Sequence, residues 1–506
     1  MQIFSFSPFG YEGSLVTVEV DLRRGIPAVD MVGLADGAVK ESRERMKTAI
    51  INSGFEFPAE RILISLSPAD VRKEGAGFDL AIALAVLAAA NKEQKLPVGT
   101  CLVMGELELS GRIRPVRGVH AAAATAISQG INMCIVPAGN GAEAIAVQGM
   151  KTYAASDIKS AFQALFHPEF FSESHEPMNK MDSVVFAPEN SDMEFSTICG
   201  QSILVRGLQI AAAGGHNLLA YGPPGCGKTM ALQRFKALLP LLTKEESQPV
   251  TRIYSLAGFL PKNQSSIQEA PFRIPHQSAS LEGIVGGGIN CRPGEISLAH
   301  NGVLFLDEAG EFKTSVLQAL RVPIETGKVT LSRAGRTTTY PAKFQLLVAT
   351  NPCPCGNFGV PEKICLCSAR SVEQYWKKFS APLLDRIDIR VPVFQSEQAA
   401  QKKSQTTFEL RKEIAVATEI QRKRQSKKNS QLLPEEIFSI CKLEPEAEKQ
   451  FAIAIKEQNF SPRAVSSCMK LARTIADMSG NKEITAAAIQ EAVFYRKNEG
   501  GLSFCF

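Results

Sequence analysis

"NLLAYGPPGCGKTMALQRF", Asn217–Phe235, sets a short apolar run, a turn rich in glycine and proline, and a helical pattern in immediate succession. Gly222, Pro223, Pro224, Gly225, Cys226, Gly227, Lys228 and Thr229 fit G-x-x-x-x-G-K-[ST] in the strand–turn–helix context that this motif needs. Glycine lets the backbone fold tightly, so successive N–H groups converge on phosphate oxygens. The helix that follows adds its positive N-terminal end. The expected ligand is ATP. Lys228 is expected to reach the β- and γ-phosphates, and Thr229 to ligate Mg²⁺. Cys226 occupies a variable position of the motif and is assigned no chemistry of its own.

Moving outward, "GVLFLDE", Gly302–Glu308, supplies a second apolar run that ends in acids. Asp307 would hold Mg²⁺ through water, and Glu308 would orient or deprotonate the attacking water. A third run, "FQLLVATN", ends at Asn351, which either positions the same water or serves as a turn residue before Pro352. Continuous apolar runs of this kind suit a parallel sheet buried on both faces. The fold class is therefore α/β within a multidomain chain.

At 506 residues the chain has room for two to four domains. With 45% hydrophobic and 21% charged residues it reads as globular, and a net charge of +5 is too mild to establish a polyanion partner. No basic, apolar leader opens the sequence. The longest apolar run, Leu80–Ala90, is far short of the roughly 20 residues that span a bilayer. A cytoplasmic protein with no membrane partner is expected. Five segments are read: residues 1–165, opening with β-type stretches and the helical "FDLAIALAVLAAA"; a polar linker, 166–190; the phosphate-loop unit, 191–395; a basic helical connector, 396–430; and an all-helical end, 431–506.

Cys353, Cys355, Cys365 and Cys367 crowd into fifteen positions of a chain expected to be reduced. Four thiolates at this density suit tetrahedral, structural Zn²⁺, although C-x-C is tighter than the usual C-x₂₋₄-C. Redox chemistry or no metal at all remain as alternatives. Basic residues gather at Lys328, Arg333, Arg336 and Lys343, and again at Arg422, Lys423, Arg424, Lys427 and Lys428. Each group is either a phosphate-contacting surface or a solvated face.

The phosphate loop, "HNGVLFLDE", "ATNPCPCG" and "PLLDRIDI" together resemble the magnesium-chelatase-like AAA+ ATPases, of the ComM/YifB type, over nearly the whole chain. The resemblance implies an AAA+ core with a helical lid, assembled as a homo-oligomeric ring, usually a hexamer, with ATP between subunits. It implies that Arg386 is an arginine finger and Arg463 a second sensor arginine. Read from the residues alone, Arg386 could instead pair with Asp385 or Asp388, and Arg463 could be a helix-surface arginine. The resemblance also implies that "PGEISLAHNG" and "KVTLSRAGRTTTYPAKF" form an insert and a hairpin facing a pore.

"RKEGAGFDLAIALAVLAA" and "GELELSGRIRPVRGVHAAAATA" are similar to the Lon-type proteolytic domain, of ribosomal-protein-S5-like α+β fold. The serine and lysine positions of that dyad fall at about Gly77 and His120, so proteolysis is not expected. Arg112, Arg114 and Arg117 there are a nucleic-acid surface or a solvated face. The function implied is an ATP-driven DNA helicase for branch migration, acting on single-stranded or branched DNA beside recombination proteins. A chelatase motor subunit and a protein-remodelling ATPase stay open as other classes.

Overall fold

The computed structural model describes residues 2–33, 37–70, 73, 75–91, 98–173, 183–261, 264–333, 336–359, 363–394 and 405–496. Outside the described residues lie 174–182 of the expected linker, the hairpin tip 334–335, 360–362 within the cysteine segment, 395–404 at the start of the expected connector, and 497–506.

The N-terminal unit is a mixed seven-stranded sheet. Its order is Val29–Val32, Arg61–Ser67, Ser14–Arg23, Gln2–Ser7, Thr100–Val103, Met133–Pro137, Lys151–Ala155. The β-type stretches "LVTVEVDL" (Leu15–Leu22) and "RILISLSP" (Arg61–Pro68) fall in Ser14–Arg23 and Arg61–Ser67, which pair antiparallel, in register from Thr17 opposite Ser67 to Arg23 opposite Arg61. The last three strands run parallel to Gln2–Ser7, and their four or five residues are too short to show a period of two. The helix Asp79–Ala90 is buried through its first nine residues, as a helix apolar at every position after Asp79 must be. Its first residue, Asp79, is a buried carboxylate that accepts from Arg45 Nε at 3.0 Å and from the Leu107 N–H at 3.2 Å.

The second unit is built on an all-parallel five-stranded sheet. Its order is Phe272–Arg273, Val303–Leu306, Gln345–Thr350, Leu218–Tyr221, Ile389–Pro392. Three of these strands are the apolar runs read from the sequence. The two edge strands were not read, one being two residues long and the other interrupted by Arg390. The helix Ser202–Gly214 packs on this sheet beside the long helix Thr407–Gln425. Arg206 ties the elements together, pairing with Glu413 and Glu491, each at 2.9 Å. Leu410, Ile414 and Leu471 share one apolar core with the strand residues Leu218 and Ile389.

Most of the basic run at and just past the end of Thr407–Gln425 is held by partners, while Lys423 stays exposed. Arg424 grips the buried carboxylate of Asp477 through both nitrogens at 2.8 Å, and Lys427 pairs with Glu436 at 2.6 Å. Arg422 donates to the Leu241 carbonyl at 3.4 Å. A buried carboxylate demands such charge-assisted partners, and the helix Thr407–Gln425 supplies Asp477 of the lid with Arg424.

The two units meet along the helices Val119–Ser128 and Lys244–Ala257. Glu143 is the hub. Its carboxylate accepts from Ser255 Oγ, from the His120 N–H at 2.9 Å and from Asn140 Nδ2 at 2.8 Å. Arg252 donates to the Tyr11 carbonyl at 3.0 Å and lies 4.7 Å from that residue's ring centre. His120 is buried in this contact, and burial followed by the neighbouring Arg252 pushes its imidazole down to about 4. His300 is also brought to about 4, by burial and then by Lys343.

A folded-state pKa below the unfolded value gives stability that is present above the unfolded pKa of 6.5 and lost as pH falls through it toward 4. Melting temperature should thus fall steeply between pH 6.5 and 4.5. His120→Gln should flatten that profile by on the order of 2 kcal/mol, read by calorimetry across the range. An unchanged slope would remove His120 from the account.

Candidate nucleotide-binding site

Parallel strands deliver their C-terminal ends to one edge, and that edge carries the candidate site. Tyr221 is in register with Thr350, and Leu306 with Val348. Gly222, Asp307, Glu308 and Asn351, each one or two positions past a strand end, therefore lie along the same rim. Gly222 is required there by close approach: a Cβ on it would lie 2.0 Å from the Val393 carbonyl oxygen. Gly227 caps the helix Lys228–Gln233 at φ 84°, a left-handed conformation that favours glycine.

Lys228 is buried in the loop, where its Nζ donates to the carbonyls of Gly222 at 2.8 Å and Pro223 at 2.7 Å. Thr229 Oγ1 donates to Asp307 Oδ1 at 3.0 Å, which brings together the two expected Mg²⁺ ligands from separate motifs. Glu308 is exposed and sits at φ 48°, ψ 45°. A non-glycine residue held in that region costs of order 1 kcal/mol, a strain typical of functional positions. Asn351 is half-buried directly after its strand. Gln201, which no motif marked, links the loop to the last strand by donating to the Cys226 carbonyl at 3.1 Å and the Phe394 carbonyl at 3.3 Å. The loop, the acids and Asn351 form a cradle fit for Mg²⁺ and a triphosphate.

Arg386 and Arg463 are elsewhere. Arg386 precedes the strand Ile389–Pro392 and lies beside Asn217, whose Nδ2 donates to its carbonyl at 2.9 Å. Asn217 is at the start of the phosphate-loop strand, so Arg386 sits at the opposite edge of the sheet, one strand of roughly 13 Å away. Its side-chain partner is Glu325, not Asp385 or Asp388. Asp385 pairs with Arg496 at 2.9 Å, and Asp388 faces His216 at 3.2 Å. Arg463, second residue of the lid helix Pro462–Met478, also reaches Glu325, at 3.0 Å. Nothing in the sequence around Glu325 marks it; only the fold brings it to both arginines.

The four sulfurs of Cys353, Cys355, Cys365 and Cys367 all lie within 4.8 Å of one another, with pairs at 3.3, 3.6 and 3.7 Å. Tetrahedral zinc with Zn–S near 2.3 Å needs sulfurs about 3.8 Å apart, so the donor set fits. The backbone N–H of Asn357, followed by Cys353, holds the Cys355 thiol down to about 6, while burial and the neighbouring Cys355 and Cys353 push the thiols of Cys365 and Cys367 up. The cluster follows Asn351 directly and leans on the phosphate loop: a Cβ on Gly356 would lie 2.6 Å from Pro224 Cδ.

On the hairpin Lys328–Arg333 and Arg336–Pro341, Lys328 and Arg333 are exposed, as is Lys343 just beyond it. Arg336 departs from the expectation of a free cation: it stacks on Phe9 at 3.7 Å. Tyr11 secures the same strand, its N–H donating to Thr338 Oγ1 at 3.0 Å. Of the N-terminal arginines, Arg114 pairs with Glu108 at 2.7 Å, and Arg117 packs beside Gly258.

Replacing Gly222 with alanine should disrupt the loop. Nucleotide affinity, read by fluorescence titration, should fall at least about tenfold, because the new Cβ and the Val393 carbonyl cannot both keep their places. Lys228→Ala should abolish binding or turnover while leaving the melting temperature nearly unchanged. Full affinity in either variant would count against the cradle.

Family descriptions match in three consecutive blocks: "Subunit ChlI of Mg-chelatase" over residues 18–140, "Magnesium chelatase, subunit ChlI" over 194–401, and its C-terminal part over 404–496. The chain is 41% identical over 493 residues to the protein YifB of Escherichia coli (strain K12), covering 96% of this chain and 95% of that one. It is 38% identical over 499 residues to the competence protein ComM of Haemophilus influenzae, covering 98% and 97%. The magnesium-chelatase 38 kDa subunit of Acidiphilium rubrum is 26% identical over 182 residues, 31% of this chain and 52% of that one. With the parallel five-stranded core and helical lid of an AAA+-type ATPase, and likeness along almost its full length, the chain belongs to the magnesium-chelatase-like AAA+ family of the ComM and YifB type.

Proposed function

We propose that this chain is an ATP-driven ring motor acting on DNA, a branch-migration helicase whose catalytic sites are completed between copies. One observation carries the reading: Arg386 and Arg463 lie at the sheet edge opposite their own phosphate loop. Arginines so placed cannot serve their own subunit's γ-phosphate and are available to a neighbour's. Thr229 and Asp307 would hold Mg²⁺, which when bound neutralises charge between the β- and γ-phosphates. Lys228 binds the same oxygens, Glu308 takes the proton of the attacking water, and Asn351 orients that water. Arg386 of the adjacent copy meets the charge developing on the γ-phosphate.

The DNA assignment is supported by the likeness to a protein named for competence and by the exposed Lys328, Arg333 and Lys343 at the hairpin. Such cations bind phosphates without reading sequence. The N-terminal unit is proposed to act in assembly, since Gly77 and the buried, neutral His120 cannot form a serine–lysine dyad. The four cysteines are proposed to hold one structural Zn²⁺ that braces the loop after Asn351 against Pro224.

Turnover should rise several-fold when forked or branched DNA is added. Arg386→Ala should bind ATP normally and lose at least about a hundredfold in turnover. Normal hydrolysis by that variant would sink the trans arrangement. A DNA-insensitive rate would sink the helicase in favour of a chelatase-type motor. Elemental analysis should find roughly one zinc per chain, lost in Cys353→Ser/Cys365→Ser. Metal-free wild-type protein would refute the zinc.

A further inference from the structure

Glu325 belongs to no nucleotide motif, but both arginines assigned to a neighbour's phosphate end on it. Arg386 Nη2 and Arg463 Nη1 share one oxygen, Oε1, the second at 3.0 Å. The three residues come from three elements: the short helix Arg321–Thr326, the segment after helix Ala381–Leu384, and the lid helix Pro462–Met478. We propose that Glu325 is a positioning residue that parks Arg386 and Arg463, and that a neighbouring copy's γ-phosphate must displace its carboxylate before turnover; this rests on the reading that both arginines act in trans.

The Arg386 guanidinium is held inside its own subunit. Arg386 has a side chain only 9% exposed. Its Nη1 donates to the Pro382 carbonyl, its Nη2 pairs with Glu325, and its Nε is buried with no partner among the described residues. A guanidinium so committed cannot span a gap between subunits without leaving the carboxylate. Arg463 stands in the first turn of a 17-residue helix, at the positive end of its dipole, where a cation is unfavourable. Glu325 and, at 3.7 Å, Asp385 offset that cost, and a phosphate of higher charge would offset it better. Carboxylate and phosphate present the same paired oxygens to the guanidinium fork, so the exchange is one of like ligands.

The exchange also has a mechanical address. Glu325 is two residues before Gly327, at φ 64°, and the hairpin begins at Lys328. While both arginines hold Glu325, the lid is tied to the base of the hairpin. Transfer to phosphate cuts that tie, linking the state of one copy's nucleotide to the hairpin of the next.

The test uses full-length protein and ATP turnover measured against protein concentration, without DNA. Glu325→Gln keeps the shape and removes the charge at a half-exposed position. Half-maximal turnover should come at about fivefold lower protein concentration, with a matching rise in the rate at dilute protein, as expected from weakening a partly exposed ion-pair cluster. Glu325→Asp should stay nearer wild type, and Glu325→Gln/Arg386→Ala should be as inactive as Arg386→Ala alone. A merely structural Glu325 would give the opposite sign: lower melting temperature and slower turnover. An unchanged or slower Glu325→Gln, with Arg386→Ala inactive, overturns the parking role alone. Should Arg386→Ala itself turn over normally, the trans reading falls, and the parking role with it. If Glu325→Gln does not fold, Glu325→Ala is held to the same sign.

Discussion

In a parallel sheet every strand ends on the same edge, and this directionality divides the proposed catalytic machinery in two. The phosphate loop, Asp307, Glu308 and Asn351 follow strand ends, so they collect at one rim. Arg386 precedes a strand, so it is delivered to the other rim, beside Asn217. No side-chain rotation reverses this, because the separation is the length of the strand itself. A ring in which copies place unlike edges against each other is the simplest way to reunite the halves. Closure by a heterologous contact of this kind is what generates rings.

Burial decides which cations remain available to a polyanion. Arg424 and Lys427 are claimed by acids, and Arg411 is turned inward to the Ala237 carbonyl at 2.7 Å. Arg336 is drawn onto Phe9. Arg424 compensates a buried carboxylate, Lys427 a half-exposed one, Arg411 a carbonyl oxygen, and Arg336 covers an aromatic face. The modest net charge thus hides an uneven distribution, with Lys328, Arg333 and Lys343 left to the hairpin region. Through Phe9 and Tyr11 the N-terminal unit holds that hairpin directly, a contact that its dyad positions, Gly77 and His120, do not suggest.

Local chemistry made the phosphate site legible in the sequence. A loop that wraps phosphate needs glycine at fixed offsets, and a strand buried on both faces must be apolar up to the acid that ends it. These requirements act over a few residues, so Gly222–Thr229, Asp307, Glu308 and the β-type stretches Leu15–Leu22 and Arg61–Pro68 could be picked out one at a time, though not their pairing. The cysteine spacing is equally local, since C-x-C arms twelve residues apart can close on one point.

What lies between distant stretches was decided by the tertiary structure alone. The partner of Arg386 is 61 positions away at Glu325, and that of Arg424 is 53 positions away at Asp477. The edge strands Phe272–Arg273 and Ile389–Pro392 carry too few residues for a period, and exist because the strands beside them offer open hydrogen bonds. The sequence by itself determined that a triphosphate-type loop and its acids are present. The fold decided which arginines face away from that loop, which basic residues are consumed inside, and that Glu325 stands between lid and hairpin, because ion pairing depends on distance in space and carries no trace along the chain.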